Sequence, residues 1–216
     1  MSRRFAVVSS TNASVVKRLY EECDRENFYI DLLVTDRECG ASNFSNLLGI
    51  ETRLIKKESN SDFSNELLRC LDHHKIDYVY LFFTRQLLGE IVDRYARRII
   101  NFHPALLPAF PGLDSFDKSV KSGSILIGST VHYIDHGLDT GEQILQSFNH
   151  RDCVKPGRLR HIILAQQCAS LYFIHRRLCT LGLDSLFPMH NVDLSQGFLP
   201  NLDSSALDIY RSIMNN

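Results

Sequence analysis

The sequence predicts an α/β protein with an open, mostly parallel, Rossmann-like sheet and helices on both faces. Short continuous apolar runs, such as residues 5–10 and 78–83, are typical of strands that are buried on both sides. Segments with apolar residues at helical spacing separate these runs. A regular alternation of strand and helix favours right-handed βαβ units, which build a parallel sheet.

The amino-terminal half is predicted to alternate five strands with four helices. The predicted strands are residues 5–10, 29–35, 52–55, 78–83 and 98–102. The predicted helices are residues 14–23, 42–48, 61–73 and 87–95. Ser61 is predicted to cap the third helix, because a serine hydroxyl can accept a hydrogen bond from a free amide of the first turn.

The carboxy-terminal half is predicted to be less regular. A helix at residues 115–122 precedes two longer strands, 125–135 and 143–148, which surround a turn at 136–139. The longest helix is predicted at residues 156–179, and a final short helix at 205–214. We therefore expect one catalytic domain over residues 1–184, followed by a tail over 185–216 that carries the short helix.

Composition and charge exclude several classes of protein. The 216 residues are 44% hydrophobic and 23% charged, which is ordinary for a globular protein. A formal net charge of -1 gives no overall attraction to nucleic acid or to a membrane surface, so neither is expected as a partner. No apolar run reaches the roughly 18 residues of a membrane span, and residues 1–5 do not resemble a signal peptide. A cytoplasmic location is expected.

The six cysteines show neither zinc-ligand spacing nor the pattern of a disulfide scaffold. No two of them form a Cys-x-x-Cys pair. Reduced and mostly buried thiols are the simplest interpretation, and we expect no metal ion.

Three segments between residues 100 and 146 contain the groups needed for acyl or formyl transfer. Asn101 and His103 stand two residues apart at the end of the fifth predicted strand, and Asp139 follows in the turn at 136–139. An amide and an imidazole can donate hydrogen bonds to an oxyanion, and a carboxylate can accept a proton. Ligands of parallel sheets bind at this edge, beyond the carboxyl ends of the strands.

Each residue also has an ordinary structural interpretation. Asn101 could cap a turn, His103 could be a hydrogen-bonded loop histidine, and Asp139 could form an Asx turn. The residues considered one at a time leave both interpretations open.

Together the segments resemble the signature of the folate-dependent formyltransferases, nearest to the glycinamide ribonucleotide formyltransferases. That signature reads Asn-x-His-Pro-Ser-Leu-Leu-Pro, an aromatic-Pro-Gly turn, Gly-x-Thr-Val-His and Leu-Asp-x-Gly. This chain departs from it at Ala105, where serine is usual. Several anchors in the same order over about fifty residues are more specific than any single motif.

The resemblance implies an enzyme that moves the formyl group of 10-formyltetrahydrofolate to a primary amine of a small molecule. Asn101 and His103 would stabilise the tetrahedral oxyanion, and Asp139 would orient His103 and take the proton of the amine. His132 belongs to the signature and would support these residues. The folate would bind beside the segment Phe83, Thr84, Arg85, Gln86 and Leu87 and the loop Asp135, His136 and Gly137. A glycine of the family is missing around residues 82–83.

Two departures concern the acceptor. The family's glycine-rich phosphate loop is matched by residues 10–14, which contain no glycine, and its ribose-binding glutamate is matched by Gln167. A changed acceptor amine is therefore expected, with glycinamide ribonucleotide itself as the alternative. Transfer RNA is not expected, because the extension and basic surface of the tRNA-specific relatives are missing.

Two other functions stay open at this point. A formyltetrahydrofolate deformylase would use water as the acceptor with the same three residues, and a folate-binding protein without turnover would use none. The sequence leaves a monomer and a homodimer equally open.

Overall fold

The structure is a computed structural model that describes residues 3–181 and 196–215. The strands are β1 (Phe5–Ser9), β2 (Leu32–Thr35), β3 (Glu51–Leu54), β4 (Tyr78–Phe82), β5 (Ile99–His103), β6 (Leu126–Tyr133), β7 (Gln143–His150) and β8 (Phe198–Leu199). The helices are α1 (Ser14–Glu22), α2 (Gly40–Leu48), α3 (Asn60–His73), α4 (Glu90–Arg94), α5 (Ser115–Lys121), α6 (Leu159–Thr180) and α7 (Ser204–Asn215).

The eight strands form one sheet in the order β3-β2-β1-β4-β5-β6-β7-β8. The first five strands are parallel, as the alternation of strands and helices predicts. The last three run antiparallel to their neighbours, which the sequence analysis did not specify. The predicted fold class, an open and mostly parallel α/β sheet, is confirmed.

Helices cover both faces of the sheet and enclose two large cores, beside a small third cluster around Ile127 and Ile162. One core joins alternate residues of β1, β4 and β5 to α1, α6 and α7. The other joins the intervening residues of the same strands to α3 and α4. Because strand residues alternate between faces, Ile100 and Phe102 enter the first core and Ile99 enters the second. Asn101 and His103 share the face of Ile99, at the end of the strand.

The longest helix, α6, is buried around most of its circumference, since it lies between the sheet and the helices α1 and α7. The predicted terminal helix is present as α7, whose Ala206 and Ile213 are buried. Strand β8 adds to the edge of the sheet next to β7. The predicted division at residues 184/185 lies outside the described residues and stays a prediction.

Two local predictions were wrong. The six cysteines are not mostly buried: Cys168 is buried, whereas Cys153 and Cys179 are exposed. Helix α3 is capped by Ser59, not by Ser61: the Ser59 hydroxyl accepts a hydrogen bond from the Asp62 amide at 3.0 Å and donates to the Asp62 carboxylate at 2.7 Å. Both serines stand before the apolar spacing of the helix, and the reciprocal bond with Asp62 selects the earlier one. No helix within residues 3–181 and 196–215 is long and apolar enough to cross a membrane.

Candidate active site

A cleft of about 640 Å³ opens at the carboxyl ends of β4 and β5. Its walls come from these strand ends, the loop after β5, the loop between β6 and β7, and helix α6. The cleft is lined by Asn60, Leu81–Leu87, Asn101–Pro104, Gly112–Ser115, His132, Ile134, Asp135, Gly137–Asp139 and Gln167. All three predicted catalytic residues border it.

The antiparallel pairing of β5 with β6 determines which side chains surround Asn101. Asn101 lies directly opposite His132, and His103 lies opposite Thr130. The amide nitrogen Nδ2 of Asn101 lies 3.0 Å from Nε2 of His132 and 3.5 Å from Oδ1 of Asp139. Three of the predicted residues therefore meet around one amide group.

His132 has one arrangement of protons that satisfies both of its contacts. Its Nδ1 lies 2.8 Å from the carbonyl oxygen of Tyr133, so that nitrogen donates a hydrogen bond. Burial lowers the pKa of His132, so the ring is neutral and Nε2 carries a lone pair. Nε2 can then accept a hydrogen bond from Asn101, which fixes the orientation of the Asn101 amide.

Asp139 is held from several sides, in a loop that is anchored at both ends. Its Oδ2 accepts a hydrogen bond from the Gly112 amide at 2.7 Å and lies 3.4 Å from Nδ1 of His103. Its backbone adopts the left-handed conformation, with φ at 56°. A non-glycine residue adopts this conformation at some energetic cost, which the surrounding contacts offset.

The imidazole of His103 is buried and has a partner for each nitrogen. Nε2 lies 2.9 Å from the carbonyl oxygen of Phe110 and therefore acts as a donor. Nδ1 faces Asp139, so it can donate only from the protonated ring, which then forms an ion pair with that carboxylate. The stiff loop after β5 thus holds the ring through Phe110.

The segment Phe83–Leu87 forms the opposite wall, with several side chains engaged outside the cleft. The guanidinium of Arg85 donates to Oδ1 of Asn60 at 2.9 Å and to the carbonyl oxygens of Lys57 and Glu58 at 2.8 and 2.9 Å. Phe83 stacks on Phe63, with ring centroids 4.8 Å apart. Because these side chains are engaged in the wall, the segment can offer its backbone groups to a ligand.

Gln86 links this wall to the loop between β6 and β7. Its Nε2 donates to the carbonyl oxygens of His136 and Gly137 at 3.2 and 3.3 Å. Asp135 closes the loop by accepting hydrogen bonds from the Gly137 amide and the Thr140 hydroxyl. The two segments predicted to bind folate are therefore adjacent.

His136 is the one predicted ligand-binding residue that does not line the cleft. Its exposed ring points to helix α4, where Nε2 lies 2.8 Å from Oδ1 of Asp93. Its carbonyl oxygen holds Gln86, so His136 contributes to the loop and not to the cleft surface.

Sequence reasoning did not select several residues of the cleft. Asn60 lines the cleft because its Oδ1 accepts a hydrogen bond from Arg85. Leu113, Asp114 and Ser115 line it because the Pro-Gly turn places the start of α5 at the cleft. The turn was visible in the sequence, but its direction was not.

Gln167, which the sequence analysis names, lines the cleft from α6 and donates to the carbonyl oxygen of Phe102 at 3.1 Å.

Comparison with known proteins agrees with this geometry. Residues 3–150 match the model of the formyl transferase family, which covers more than half of the chain. The chain belongs to the formyl transferase family. It is therefore an enzyme, a formyltransferase of a family that uses 10-formyltetrahydrofolate to formylate an amine, and the predicted family and activity are confirmed.

Two relatives illustrate the similarity. A phosphoribosylglycinamide formyltransferase of Bacillus subtilis is 31% identical over 151 residues, which cover 67% of this chain and 77% of the relative. A chloroplastic phosphoribosylglycinamide formyltransferase of Arabidopsis thaliana is 32% identical over 158 residues, which cover 67% of this chain and 54% of the relative.

Solved structures give the same result. Glycinamide ribonucleotide transformylase 1 of Geobacillus kaustophilus superposes with a TM-score of 0.73 at 28% identity, covering 83% of this chain and all of the other. Phosphoribosylglycinamide formyltransferase of Streptococcus pneumoniae superposes with a TM-score of 0.68 at 26% identity, covering 87% of this chain and all of the other.

Proposed function

We propose that the chain transfers the formyl group of 10-formyltetrahydrofolate to a primary amine of a small molecule at Asn101, His103 and Asp139. The observation that carries this proposal is the convergence of these groups in one cleft. Nδ2 of Asn101 and Nδ1 of His103 lie 3.5 and 3.4 Å from the two oxygens of Asp139. Two donors thus lie against one proton acceptor at the edge of the cleft.

The reaction is an acyl substitution without a covalent enzyme intermediate. The amine nitrogen attacks the formyl carbon, and the carbonyl π electrons move to the oxygen to give a tetrahedral oxyanion. When the oxyanion collapses, the bond from the formyl carbon to the folate nitrogen breaks. The amine loses one proton and the folate nitrogen gains one, so the products are a formamide and tetrahydrofolate.

Asn101 is the donor to the oxyanion. One hydrogen of its Nδ2 is directed to His132, and the second makes a long contact of 3.5 Å with Oδ1 of Asp139 that the developing negative charge would replace. A neutral amide stabilises that charge without repelling a protonated amine before it reacts. A preorganised donor of this kind is typically worth about 3–4 kcal/mol in the transition state.

Asp139 and His103 have separate roles in proton transfer and in stabilising the oxyanion. The carboxylate of Asp139 accepts the proton that the attacking amine loses, directly or through a water molecule. His103, held through Nε2 by the carbonyl oxygen of Phe110, would direct an Nδ1–H to the oxyanion in place of Asp139. Because Gly112 fixes the carboxylate by its amide, Asp139 keeps its position when its charge changes.

The co-substrate would lie along the wall opposite these groups. We assign its head group to the backbone of Phe83, Thr84, Arg85, Gln86 and Leu87 and to the loop of Asp135 and Gly137, which the carbonyl oxygen of His136 links to Gln86. Support comes from the adjacency of the two segments through Gln86 and from the side chains of the wall that are engaged elsewhere. No step of this mechanism requires a metal ion, and the described residues contain no cluster of three or more metal-ligating side chains.

Glycinamide ribonucleotide is a second candidate for the acceptor. The observation in its favour is that the similar proteins of Bacillus subtilis and Arabidopsis thaliana bear the name phosphoribosylglycinamide formyltransferase. That assignment would give the chain a role in purine synthesis.

An assay with and without acceptor tests the proposal. The purified chain is incubated with 10-formyltetrahydrofolate alone and with a panel of primary amines, and formate and formylated amine are quantified by mass spectrometry. We expect formylated amine to account for the consumed donor. Formate released at the same rate without an amine would indicate a hydrolase, and a donor that binds but is never consumed would indicate a binding protein.

A further inference from the structure

We propose that the acceptor is a hydroxylated amine without a phosphate group. This inference names the substrate class for the formyl transfer proposed above and rests on that proposal. It comes from the charges that border the cleft and from the loop between β1 and α1.

The cleft presents no free cation to a phosphate. Among the described residues that line it, Arg85 is the one lysine or arginine, and each of its three guanidinium nitrogens is bonded to the α3 side of the wall. The ring of His132 is neutral, because burial lowers its pKa. A phosphate dianion in this cleft would therefore have no cationic side chain among these groups to compensate its charge, apart from the His103 ring already paired with Asp139.

Carboxylates border the same cleft. Asp114, Asp135 and Asp139 all line it, and in residues 3–181 and 196–215 the exposed carboxylate of Asp114 has no hydrogen-bond or ion-pair partner. A carboxylate accepts hydrogen bonds from hydroxyl and ammonium groups and repels a phosphate. The lining therefore suits a ligand that carries donors.

The usual phosphate position of such a sheet is the start of the helix after the first strand. Here the loop before this helix contacts a buried carboxylate, Asp36, whose side chain is 2% exposed. Ser10, at the end of β1, forms a hydrogen bond with Asp36 and accepts one from the amide of Thr84, a residue of the cleft wall. Asp36 thus lies directly behind the wall, 4.0 Å from Nη1 of the wall residue Arg85.

Asp36 is ionised at neutral pH. Burial alone would raise its pKa, but the hydrogen bond and the positive charge of Arg37 outweigh burial and leave the pKa lowered. Arg37 is bonded to the same carboxylate at 2.7 Å, so its charge is already compensated. Arg85 lies 4.0 Å from this carboxylate as well, so both cations are engaged with Asp36 and neither is free for a phosphate at the helix start.

The loop also packs away from the cleft. A Cβ atom at Gly40 would lie 2.4 Å from Oδ1 of Asn12, so the Asn12 side chain occupies the space above Gly40. The carbonyl oxygen of Thr11 accepts a hydrogen bond from the Ala41 amide at 3.3 Å. None of residues 10–14 lines the cleft. The loop therefore packs on the start of α2 and contributes no residue to the lining of the cleft.

Matched pairs of acceptors test this inference. Glycinamide ribonucleotide is compared with its dephosphorylated ribonucleoside, and glucosamine 6-phosphate with glucosamine, at saturating 10-formyltetrahydrofolate. We expect kcat/KM to be about tenfold or more higher for the phosphate-free member of each pair that turns over, a difference of about 1.4 kcal/mol. Asp36→Asn should raise kcat/KM for the phosphorylated member about threefold or more and change the other by less than about twofold.

Glu38→Gln is the matched control. Glu38 lies two residues further on, is 82% exposed and pairs with Lys56 at the surface, so its variant removes the same formal charge without touching the cleft wall. The Glu38→Gln variant should leave kcat/KM unchanged for both members of each pair. Should Asp36→Asn fail to fold, inhibition of the wild-type enzyme by inorganic phosphate gives an independent readout, and we expect none below about 10 mM.

The outcomes separate the two proposals. A tenfold preference for the phosphorylated members, or competitive inhibition by sub-millimolar inorganic phosphate, would overturn this inference and leave the formyl transfer intact. If no formylated product arose from any amine of the panel, the proposed function would fail, and the acceptor class would fail with it.

Discussion

The two walls of the cleft are built by different means. On the wall of β5 and β6, Asn101, His132 and Asp139 point into the cleft and bond to one another. On the wall after β4, Arg85 and Gln86 are bonded to neighbouring loops. The first wall offers fixed side chains and the second offers backbone. Chemistry requires particular functional groups, whereas recognition of a flat ligand can rest on main-chain donors and acceptors.

The largest effect is expected at Asp139. Asp139→Asn keeps the size of the side chain, retains an oxygen that can accept the Gly112 amide, and tolerates the left-handed backbone. It removes the proton acceptor, so kcat should fall by about 10²-fold or more while KM for the folate changes little. Steady-state kinetics measured from pH 6 to 9 check this. Near-wild-type kcat at every pH would contradict the role of Asp139.

His132 should have a smaller effect, because it acts through Asn101. In His132→Phe the ring is retained but the acceptor of the Asn101 hydrogen bond is lost. We expect kcat to fall by roughly tenfold, with a smaller fall in His132→Gln, whose carbonyl oxygen can replace Nε2. A structural role alone would lower the melting temperature of both variants without separating their kcat values.

The other wall should respond in KM and stability. Arg85→Gln removes the bonds to the carbonyls of Lys57 and Glu58, so the backbone of the segment loses its support. We expect KM for 10-formyltetrahydrofolate to rise about three- to tenfold and kcat to stay within about twofold. Arg69→Gln, which removes an exposed ion pair with Glu66 on helix α3, is the control and should leave KM unchanged. A loss confined to kcat would show that the two walls do not differ as described.

A buried histidine far from the cleft gives the smallest effect on activity. His175 lies among Phe5, Phe28 and Tyr29, and its Nδ1 lies 3.0 Å from the Tyr80 hydroxyl. Burial lowers the pKa of His175 to about 3, from an ordinary value of 6.5. The unfolded chain therefore binds a proton that the native state does not between these values.

The sign of the pH dependence follows directly. Stability should fall by up to roughly 1.4 kcal/mol per pH unit as the pH drops below 6.5 towards 3. In His175→Gln this contribution should vanish, which denaturant titrations at pH 7, 6 and 5 would measure. An unchanged slope would mean that other groups cause the loss of stability in acid. The activity of the variant at pH 7.5 should remain close to that of the wild type.

The parallel half of the fold could be predicted from the sequence, because strands buried on both faces and helices with one apolar face leave different patterns. The orientation of β6 and β7 could not, because both strands mix apolar and polar residues and match neither the continuous apolar run of a parallel strand nor a strict alternation. That orientation is what brings His132 opposite Asn101. The supporting role of His132 could be inferred from the family signature alone.

Part of the candidate site could likewise be predicted from the sequence, and part could not. Asn101 and His103 could be placed at a strand end because period-two alternation puts them on one face. The position of Asp139 beside these two residues depends on hydrogen bonds from the Gly112 amide and the Gln86 side chain, which join loops distant in sequence. Similarly, the engagement of Arg85 depends on the carbonyls of residues 57 and 58, and no pattern of side chains predicts a bond to main-chain oxygen.

Asn101 provides the most direct test of the central claim, that this cleft stabilises a formyl oxyanion. The measurement is the single-turnover rate of formyl transfer in the wild type and in Asn101→Ala, with the Kd of an unreactive folate analogue measured on the same two proteins. We expect the rate to fall by about 10²–10³-fold while Kd changes by less than about threefold. A rate retained within a few fold, or a loss of binding equal to the loss of rate, would contradict the account.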